Sequence, residues 1–180
     1  MKLLYQNREL QEKITELAER ISADYKGRPF LAVGLLKGCV VFMSHLLVQI
    51  KGEVEIDFMT ISSYKHGTQS DDFKFIQDLD TDVRGRDVLI VEDIIDTGKT
   101  MSFVQKYLES RGAASVETVT LVDKGQRRKH KIKPPKYVGF KYNEAPFIVG
   151  FGFDHSGLYR NLPDVYMLEQ SDIAKKKQIR

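Results

Sequence analysis

Apolar residues recur along the first third of the chain in two different periods, and these periods predict its helices and strands. Residues 7–25 place apolar side chains three and four positions apart, which is typical of an amphipathic helix. Residues 30–36 form an unbroken apolar run and residues 54–61 alternate, so both are predicted strands. Between them, residues 40–50 are predicted to form a helix that packs on the sheet.

The middle of the chain carries the clearest strand-helix-strand pattern. Residues 88–91 form an apolar run of the kind that parallel sheets bury. The loop 92–100 leads into a helix that is predicted to end near Ser110, and residues 116–122 form the next strand. A last core strand is predicted at residues 147–153. This order predicts an α/β fold with a mainly parallel, twisted sheet flanked by helices.

Residues 62–74 are polar and show neither period. Long loops in compact domains often cover binding sites, so this stretch is predicted to be a loop that acts as a lid or binding element. A passive hairpin tip is the alternative, and the local sequence fits it equally well.

Length and composition fit one globular domain. The chain has 180 residues, of which 42% are hydrophobic and 29% charged, and this balance argues against disorder. The net charge of +3 permits an anionic ligand without requiring nucleic acid. The single cysteine, Cys39, excludes an intrachain disulfide and a multi-cysteine zinc site, so a cytoplasmic, reducing compartment is expected. We expect no signal peptide and no membrane span.

The joint between the strand 88–91 and the next helix is the strongest candidate for a binding site. In open α/β sheets, ligands bind beyond the carboxyl ends of the strands. Gly98 permits a tight turn there, and Thr97 and Thr100 add hydroxyl groups. The free amide groups at the start of the following helix attract anions, so the joint predicts a phosphate site.

Three acids beside this phosphate site, Glu92, Asp93 and Asp96, indicate a ligand that is more than a phosphate. Carboxylates accept hydrogen bonds from sugar hydroxyls and also bind Mg²⁺, so a sugar phosphate with a divalent metal explains them. Asp93 stands where a Walker A loop needs glycine, and His155 where a Rossmann fingerprint needs it, so both motifs are excluded. A tight turn capped by Asp96 and Thr97 is the simpler alternative.

Residues 88–100 read Val-Leu-Ile-Val-Glu-Asp-Ile-Ile-Asp-Thr-Gly-Lys-Thr and resemble the phosphoribosyl-pyrophosphate motif of type I phosphoribosyltransferases. The last seven of these residues are similar to the 6-oxopurine branch, the hypoxanthine-guanine phosphoribosyltransferases. The likeness extends over roughly residues 30–170, in the order of the family. It implies that the 5-phosphoribosyl group of phosphoribosyl pyrophosphate is transferred to N9 of hypoxanthine or to N9 of guanine. It also implies Mg²⁺ as the cofactor.

The resemblance also implies how the chain is organised. It implies the type I phosphoribosyltransferase fold as a single domain with a core of about residues 30–145. A small hood would come from about residues 1–10 and 146–180, and a mobile loop would cover about residues 62–75. A homodimer or homotetramer is implied, with no nucleic-acid or membrane partner.

The phosphate side of the site is implied residue by residue. The residues implied for the 5′-phosphate are Thr97, Gly98, Lys99 and Thr100. Those implied for the ribose hydroxyls are Glu92 and Asp93. Those implied for pyrophosphate are Lys37, Gly38 and Arg160. The family often has a non-proline cis peptide before the lysine of this pyrophosphate loop.

The purine side is implied in the same way, with Asp96 as the general base near purine N7. The residues implied for the purine are Lys124, Phe147, Ile148 and Asp154. Lys124 would donate to the 6-oxo group, which disfavours adenine, and Phe147 would stack on the base. The residues implied for Mg²⁺ are Asp154, Glu92 and Asp93, and those for closure of the mobile loop are Ser63 and Tyr64.

A regulator of the same fold that binds nucleic acid is the alternative function. Such a protein needs a concentrated basic face with aromatic residues among the charges. The candidate segment, residues 127–131, reads Arg-Arg-Lys-His-Lys and holds no aromatic ring apart from a histidine. We interpret it as a solvated loop or a subunit contact, and the lysines at 175–177 as a solvated chain end.

Overall fold

A computed structural model describes residues 1–65, 71–143 and 147–169 of the chain. The helices in these residues are α1 (Asn7–Tyr25), α2 (Cys39–Leu47) and α3 (Lys99–Ser110). The strands are β1 (Lys2–Tyr5), β2 (Phe30–Leu36), β3 (Val54–Lys65), β4 (Asp71–Gln77), β5 (Asp87–Ile95), β6 (Ser115–Asp123), β7 (Tyr137–Lys141), β8 (Ile148–Val149) and β9 (Val165–Met167). None of the helices in this described part is long and apolar enough to cross a membrane.

Six strands form the main sheet in the order β4-β3-β2-β5-β6-β7. All neighbouring strands are parallel except β3 and β4, which confirms the predicted mainly parallel α/β fold. The chain runs from β2 to β3 on one side, and β5 then pairs with the other side of β2. The loops after β2 and β5 therefore diverge at a topological switch point, which is where such sheets bind ligands.

The central strands are buried on both faces. Ala32 and Leu89 point into a core formed with α1 and α2, whereas Leu31, Val33 and Val88 point into a second core formed with α3. Burial on both faces explains why β2 and β5 are continuous apolar runs and not alternating ones.

The predicted bounds hold best for elements that the cores bury. The α1 helix covers residues 7–25 as predicted, and its apolar stripe is buried: Leu10, Ile14, Leu17, Ala18 and Ile21. The α2 helix ends at Leu47, three residues earlier than predicted. Val48 is 84% exposed, so the core no longer holds the chain in a helix beyond that point.

The prediction of a loop over residues 62–74 was wrong at both of its ends. β3 continues to Lys65 and β4 begins at Asp71, in an antiparallel register in which Lys65 pairs with Asp71. Backbone pairing at a sheet edge holds these polar residues in strands, and no apolar period reveals such pairing. The predicted mobile loop of 62–75 thus contains two strand ends, and residues 66–70 lie outside the described residues.

The predicted strand over residues 147–153 was also wrong beyond Val149. Gly150 and Gly152 have φ values of +94° and +97°, and these left-handed conformations turn the chain out of the strand. β8 instead joins a small sheet of order β1-β9-β8, which links both ends of the described chain. The strands β1, β7 and β9 are short and were not predicted, because distant partners in the sequence stabilise them.

We predict that Gly150→Ala destabilises the fold far more than Gly157→Ala. Both glycines have positive φ, and an added methyl group strains that backbone by about 1 kcal/mol. At Gly157 the new Cβ meets nothing within 4 Å, whereas at Gly150 it lies 2.0 Å from the carbonyl oxygen of Asp164. The free energy of unfolding, measured in urea, should therefore fall by about 3 kcal/mol or more for Gly150→Ala. Equal losses in the two variants would contradict this reading of the turn.

Candidate active site

The loop between β5 and α3 forms the centre of the candidate site. Gly98 has a φ of +80°, and a Cβ there would lie 2.6 Å from Cδ of Arg128, so only glycine fits without a shift. The α3 helix begins directly at Lys99, and the amide of Ser102 donates to the carbonyl oxygen of Gly98 at 2.8 Å. The first amide groups and the positive dipole end of α3 thus lie at the switch point of the sheet.

A pocket of about 130 Å³ lies in this loop. It is lined by Glu92, Ile94, Ile95, Asp96, Thr97, Gly98, Lys99, Thr100 and Met101. The pocket is smaller than the roughly 300–1,000 Å³ of sites that enclose a whole drug-sized ligand. It therefore fits one group of a larger ligand, and all four residues predicted to hold the 5′-phosphate line it.

The ammonium group of Lys99 lies 5.4 Å from the centre of the Phe73 ring, on the strand β4. Phe73 in turn stacks on Phe103 of α3, with ring centres 4.8 Å apart. This contact connects the β3-β4 hairpin to the helix that follows the phosphate loop. Ser63 and Tyr64 belong to the same hairpin, but their side chains lie outside the described part of the structure.

Two acids near the end of β5 lie beside the pocket, and of these Asp93 is buried and Glu92 half-buried. Burial and the charge of Asp93 raise the pKa of Glu92 well above its usual range. Its Oε2 atom is buried and has no hydrogen-bond partner among the described residues. Burial also raises the pKa of Asp93 to about 6; the amide of Ile94 and the charge of Arg160 oppose this shift. Glu92 thus has a carboxylate oxygen that no group of the described residues satisfies, whereas Asp93 accepts a hydrogen bond from the amide of Ile94.

The loop after β2 lies against Asp93. A Cβ on Gly38 would come 2.2 Å from Oδ2 of Asp93, so glycine at this position allows the carboxylate to pack on the main chain. The peptide between Leu36 and Lys37 is cis, a feature that the sequence left open, and α2 begins directly after Gly38. Burial and the charges of the two neighbouring acids raise the pKa of Cys39 to about 12, so this thiol is unreactive.

Asp96 lies at the edge of the pocket and is half exposed. Nε of Arg127 lies 3.1 Å from its Oδ1 atom, with both side chains about 40% exposed. This is an ion pair by distance only, since Oδ1 accepts no hydrogen bond among the described residues. Arg128 donates to the main-chain oxygen of Asp96 at 2.9 Å.

The interpretation of residues 127–131 as a solvated loop was wrong for Arg128, whose largely buried side chain packs on the phosphate loop, whereas Arg127 is exposed and reaches only the carboxylate of Asp96. A signal for this contact was present in the sequence. Arg127 and Arg128 closely follow β6, which lies next to β5, so parallel pairing brings them to the same edge of the sheet.

The residues predicted to bind the purine lie on two separate elements. Lys124 follows β6, is only 3% exposed and has a pKa lowered by burial; its ammonium group lies 5.1 Å from the ring centre of Tyr142. Phe147 is 59% exposed, with its ring centre 5.6 Å from that of His155, so it offers an open stacking surface. Ile148 is buried in β8.

The turn after β8 brings Asp154 and Arg160 to the site. Nη2 of Arg160 lies 2.6 Å from Oδ1 of Asp154, and the amide of Gly157 donates to Oδ2 at 2.7 Å. A Cβ on Gly152 would meet the carbonyl oxygen of Gly38 at 2.8 Å, so this turn abuts the loop after β2. Both charges act on the pKa of Asp93, which Asp154 raises and Arg160 lowers.

The acids of the site do not gather into a metal site made of protein alone. Among residues 1–65, 71–143 and 147–169, no three or more His, Cys, Asp or Glu side chains are arranged to hold a metal ion. The buried and unpartnered Oε2 of Glu92 nevertheless fits a cation that brings its other ligands with it. Mg²⁺ commonly binds in this way, through one or two carboxylates, water and the phosphates of a substrate.

Asp93→Asn should stabilise the protein in a way that depends on pH. A carboxyl pKa raised to about 6 in the folded state favours its protonated form, so stability falls as the pH rises from about 4 through 6. Asparagine removes this loss. Urea unfolding without divalent metal measures the free energy of unfolding of both proteins. The increase that the variant shows over the wild type should be on the order of 2 kcal/mol larger at pH 8 than at pH 4.5. Asp80→Asn, at an exposed acid, is the control, and an equal gain at both pH values would contradict the burial argument.

Comparison with known proteins agrees with this geometry. The family model of the phosphoribosyl transferase domain matches residues 2–155. The hypoxanthine-guanine phosphoribosyltransferase of Lactococcus lactis is 48% identical over 169 residues, which cover 93% of this chain and 91% of that protein. The protein of the same name from Bacillus subtilis is 44% identical, with 93% of each chain covered.

A solved structure of a hypoxanthine phosphoribosyltransferase from Staphylococcus aureus superposes with a TM-score of 0.89 at 42% identity. The superposition covers 94% of this chain and 92% of that one. None of these proteins is described by name as a regulator that binds nucleic acid, so that alternative has no support. With the family model over most of the chain, the relatives above 40% identity and the shared fold, this chain belongs to the phosphoribosyltransferase family.

Proposed function

We propose that this protein is a hypoxanthine-guanine phosphoribosyltransferase of purine salvage. It transfers the 5-phosphoribosyl group of phosphoribosyl pyrophosphate to N9 of hypoxanthine or guanine, which gives IMP or GMP and pyrophosphate. The observation that carries this proposal is the junction of three loops at the switch point, those after β2, β5 and β8. The identity to hypoxanthine-guanine phosphoribosyltransferases over 93% of the chain supports the same activity.

The phosphate and ribose of the substrate bind along β5 and the start of α3. The 5′-phosphate accepts hydrogen bonds from the amide and hydroxyl groups of residues 97–100, in the pocket at the helix N-terminus. Glu92 and Asp93 accept hydrogen bonds from the ribose hydroxyls. The unpartnered Oε2 of Glu92 supports this role, because a buried acceptor without a partner is costly until a ligand supplies a donor.

The purine lies between Phe147 and the end of β6. The exposed ring of Phe147 stacks on the base, and main-chain groups at Ile148 read its edge. Lys124 donates to the 6-oxo oxygen. The adenine base carries an amino group at this position, where two donors would face each other, so adenine is rejected.

Pyrophosphate leaves on the side of the β2 loop. Lys37, the main chain of Gly38 and Arg160 hold its negative charge, and the first turn of α2 adds its dipole. One or two of the carboxylates of Glu92, Asp93 and Asp154 would hold Mg²⁺ together with the oxygens of the substrate. When bound, Mg²⁺ neutralises charge on the leaving pyrophosphate.

In the reaction, the bond between C1′ and the pyrophosphate oxygen breaks as the new bond between C1′ and purine N9 forms. Positive charge develops on C1′ during this exchange, as in other glycosyl transfers. Asp96 accepts the proton that leaves N7 of the base, so the purine remains neutral after transfer. The hairpin of Ser63 and Tyr64 closes over the site and excludes water, which would otherwise attack C1′.

The state of the protein in the cell belongs to the same proposal. We propose that the chain works in the cytoplasm as a homodimer or homotetramer. Its single, buried cysteine suits a reducing compartment. Light scattering at several protein concentrations distinguishes a dimer and a tetramer from a monomer.

The proposed function predicts turnover with 6-oxopurines and not with adenine. Purified protein, phosphoribosyl pyrophosphate and Mg²⁺ are mixed with hypoxanthine, guanine, xanthine or adenine in turn, and nucleotide formation is followed by absorbance. We expect turnover with hypoxanthine and guanine. This turnover should be lost when a chelator removes Mg²⁺. Adenine should react at least about a hundredfold more slowly, because its amino group meets the donor of Lys124. No turnover with any 6-oxopurine would refute the proposal.

Asp96→Asn should lower kcat roughly 10²- to 10⁴-fold, which is the usual contribution of a general base. The asparagine keeps its main-chain oxygen, so the contact with Arg128 and the phosphate loop persist. We therefore expect the KM for phosphoribosyl pyrophosphate to change by less than about threefold. Steady-state kinetics with hypoxanthine measure both values. An unchanged kcat would remove Asp96 from the role of base.

A further inference from the structure

A segment that follows β6, residues 124–132, holds the back of the phosphate loop; we call it the basic segment, and apart from Lys124 its residues have no role in the site described above. The amide of Lys124 donates to the carbonyl oxygen of Ile95 at 2.9 Å. The amides of Lys129 and His130 both donate to the carbonyl oxygen of Thr97, at 2.9 and 3.1 Å. The carbonyl groups of Ile95, at the end of β5, and of Thr97, in the loop, are thus fixed by main-chain donors of this segment.

The side chain of Arg128 fixes the carbonyl group between these two. Its Nη1 atom donates to the main-chain oxygen of Asp96 at 2.9 Å, and its Nη2 atom is paired with Asp123 at the end of β6. The side chains of Arg128 and Asp123 are only 19% and 14% exposed, so the pair is largely removed from water. The planar fork of arginine joins two acceptors at once, which the single ammonium group of lysine does poorly.

The same segment closes over Gly98. A Cβ on this glycine would meet Cδ of Arg128 at 2.6 Å, the carbonyl oxygen of His130 at 3.3 Å and Cγ2 of Ile132 at 3.3 Å. The phosphate loop and the basic segment are therefore in close contact through main chain and side chain, with Arg128 at the centre.

This arrangement determines where the amide groups of the loop point. In a trans peptide, a carbonyl group and the amide of the next residue point in opposite directions. Since the carbonyl groups of residues 95–97 face the basic segment, the amides of residues 96–98 face the other way. The residues that line the pocket all lie within 92–101 and include none of the basic segment, from which we infer that the pocket is on that other side. Amide groups turned in one direction form an anion-binding concavity.

We propose that Arg128 is a positioning residue for the 5′-phosphate. It holds the main chain at Asp96, through which the loop presents its amide groups to the phosphate, and it does not touch the substrate. This inference rests on the proposed function for the identity of the phosphate. From the sequence, its segment was predicted to be a solvated loop or a subunit contact. The inference instead gives Arg128 a role in shaping the phosphate site.

The test compares Arg128→Met with Lys131→Met, a variant that loses the same charge at an exposed position of the same segment. Ribose 5-phosphate is the probe, because it carries the phosphate and the sugar without pyrophosphate, and calorimetry gives its Kd. Arg128→Met should raise this Kd and the KM for phosphoribosyl pyrophosphate roughly tenfold, as the loss of a charged hydrogen bond does. The KM for hypoxanthine should remain within about twofold of the wild-type value, and Lys131→Met should match the wild type.

Arg128→Lys separates positioning from folding. It keeps the charge and one of the two contacts, so it should fold and should weaken ribose 5-phosphate binding less than Arg128→Met does. If Arg128→Met does not fold, Arg128→Lys alone still tests the inference. Its KM for phosphoribosyl pyrophosphate should rise while its KM for hypoxanthine stays near the wild-type value. Unchanged affinity in the folded Arg128 variants, or an equal loss in Lys131→Met, would overturn the inference.

The two proposals fail in different ways. A wild-type protein that turns over hypoxanthine, with Arg128 variants that bind ribose 5-phosphate normally, refutes the positioning role alone. A wild-type protein without turnover, in which Arg128→Met still loses affinity for ribose 5-phosphate, refutes the proposed activity and supports the positioning role.

Discussion

The parallel pairing of β2 with β5 is the constraint on which the rest of the structure depends. It runs from Leu31 opposite Val88 to Gly34 opposite Val91, and both faces of these strands are buried. Because the cores accept only apolar side chains along this stretch, the polar groups of the two strands are displaced to the strand ends, and Glu92 and Asp93 lie towards the carboxyl end of β5. The chain order reverses at the same place, so the polar ends face a crevice and not a packed connection.

This concentration of polar groups carries an electrostatic penalty that the fold tolerates. Glu92 and Asp93 are adjacent, and desolvation raises the pKa of both carboxyl groups, which destabilises the ionised folded state at neutral pH. Such an electrostatic penalty is typical of ligand-binding sites. Hydroxyl groups or a cation of the ligand supply the hydrogen bonds or the positive charge that the carboxylates lack in the free protein. α2 and α3 begin directly after the loops that follow β2 and β5, so two helix N-termini lie near these acids, and the proposed substrate, with phosphate groups at both ends and hydroxyl groups between them, suits this arrangement.

The sequence predicts the parts of this fold that burial determines and fails where pairing between distant segments decides. The stripe of α1 and the runs of β2 and β5 follow from period alone. β7 and the polar end of β3 depend on backbone partners that no local pattern contains. The same distinction applies to the site: the loop 92–100 reveals itself by its residue types, whereas Arg128 becomes part of the site only once β6 has been placed beside β5.

The two adjacent arginines illustrate why the main chain and the side chain of Asp96 need different partners. The pair of Arg127 with the Asp96 carboxylate is about 40% exposed on both sides, and such pairs contribute at most about 1 kcal/mol. A purine can therefore displace Arg127 and use the carboxylate. The contact of Arg128 is largely buried, and breaking it leaves Asp123 without its partner in a site poor in water. In the proposed reaction, the loop would therefore keep its shape through Arg128 while the carboxylate of Asp96 exchanges Arg127 for the purine.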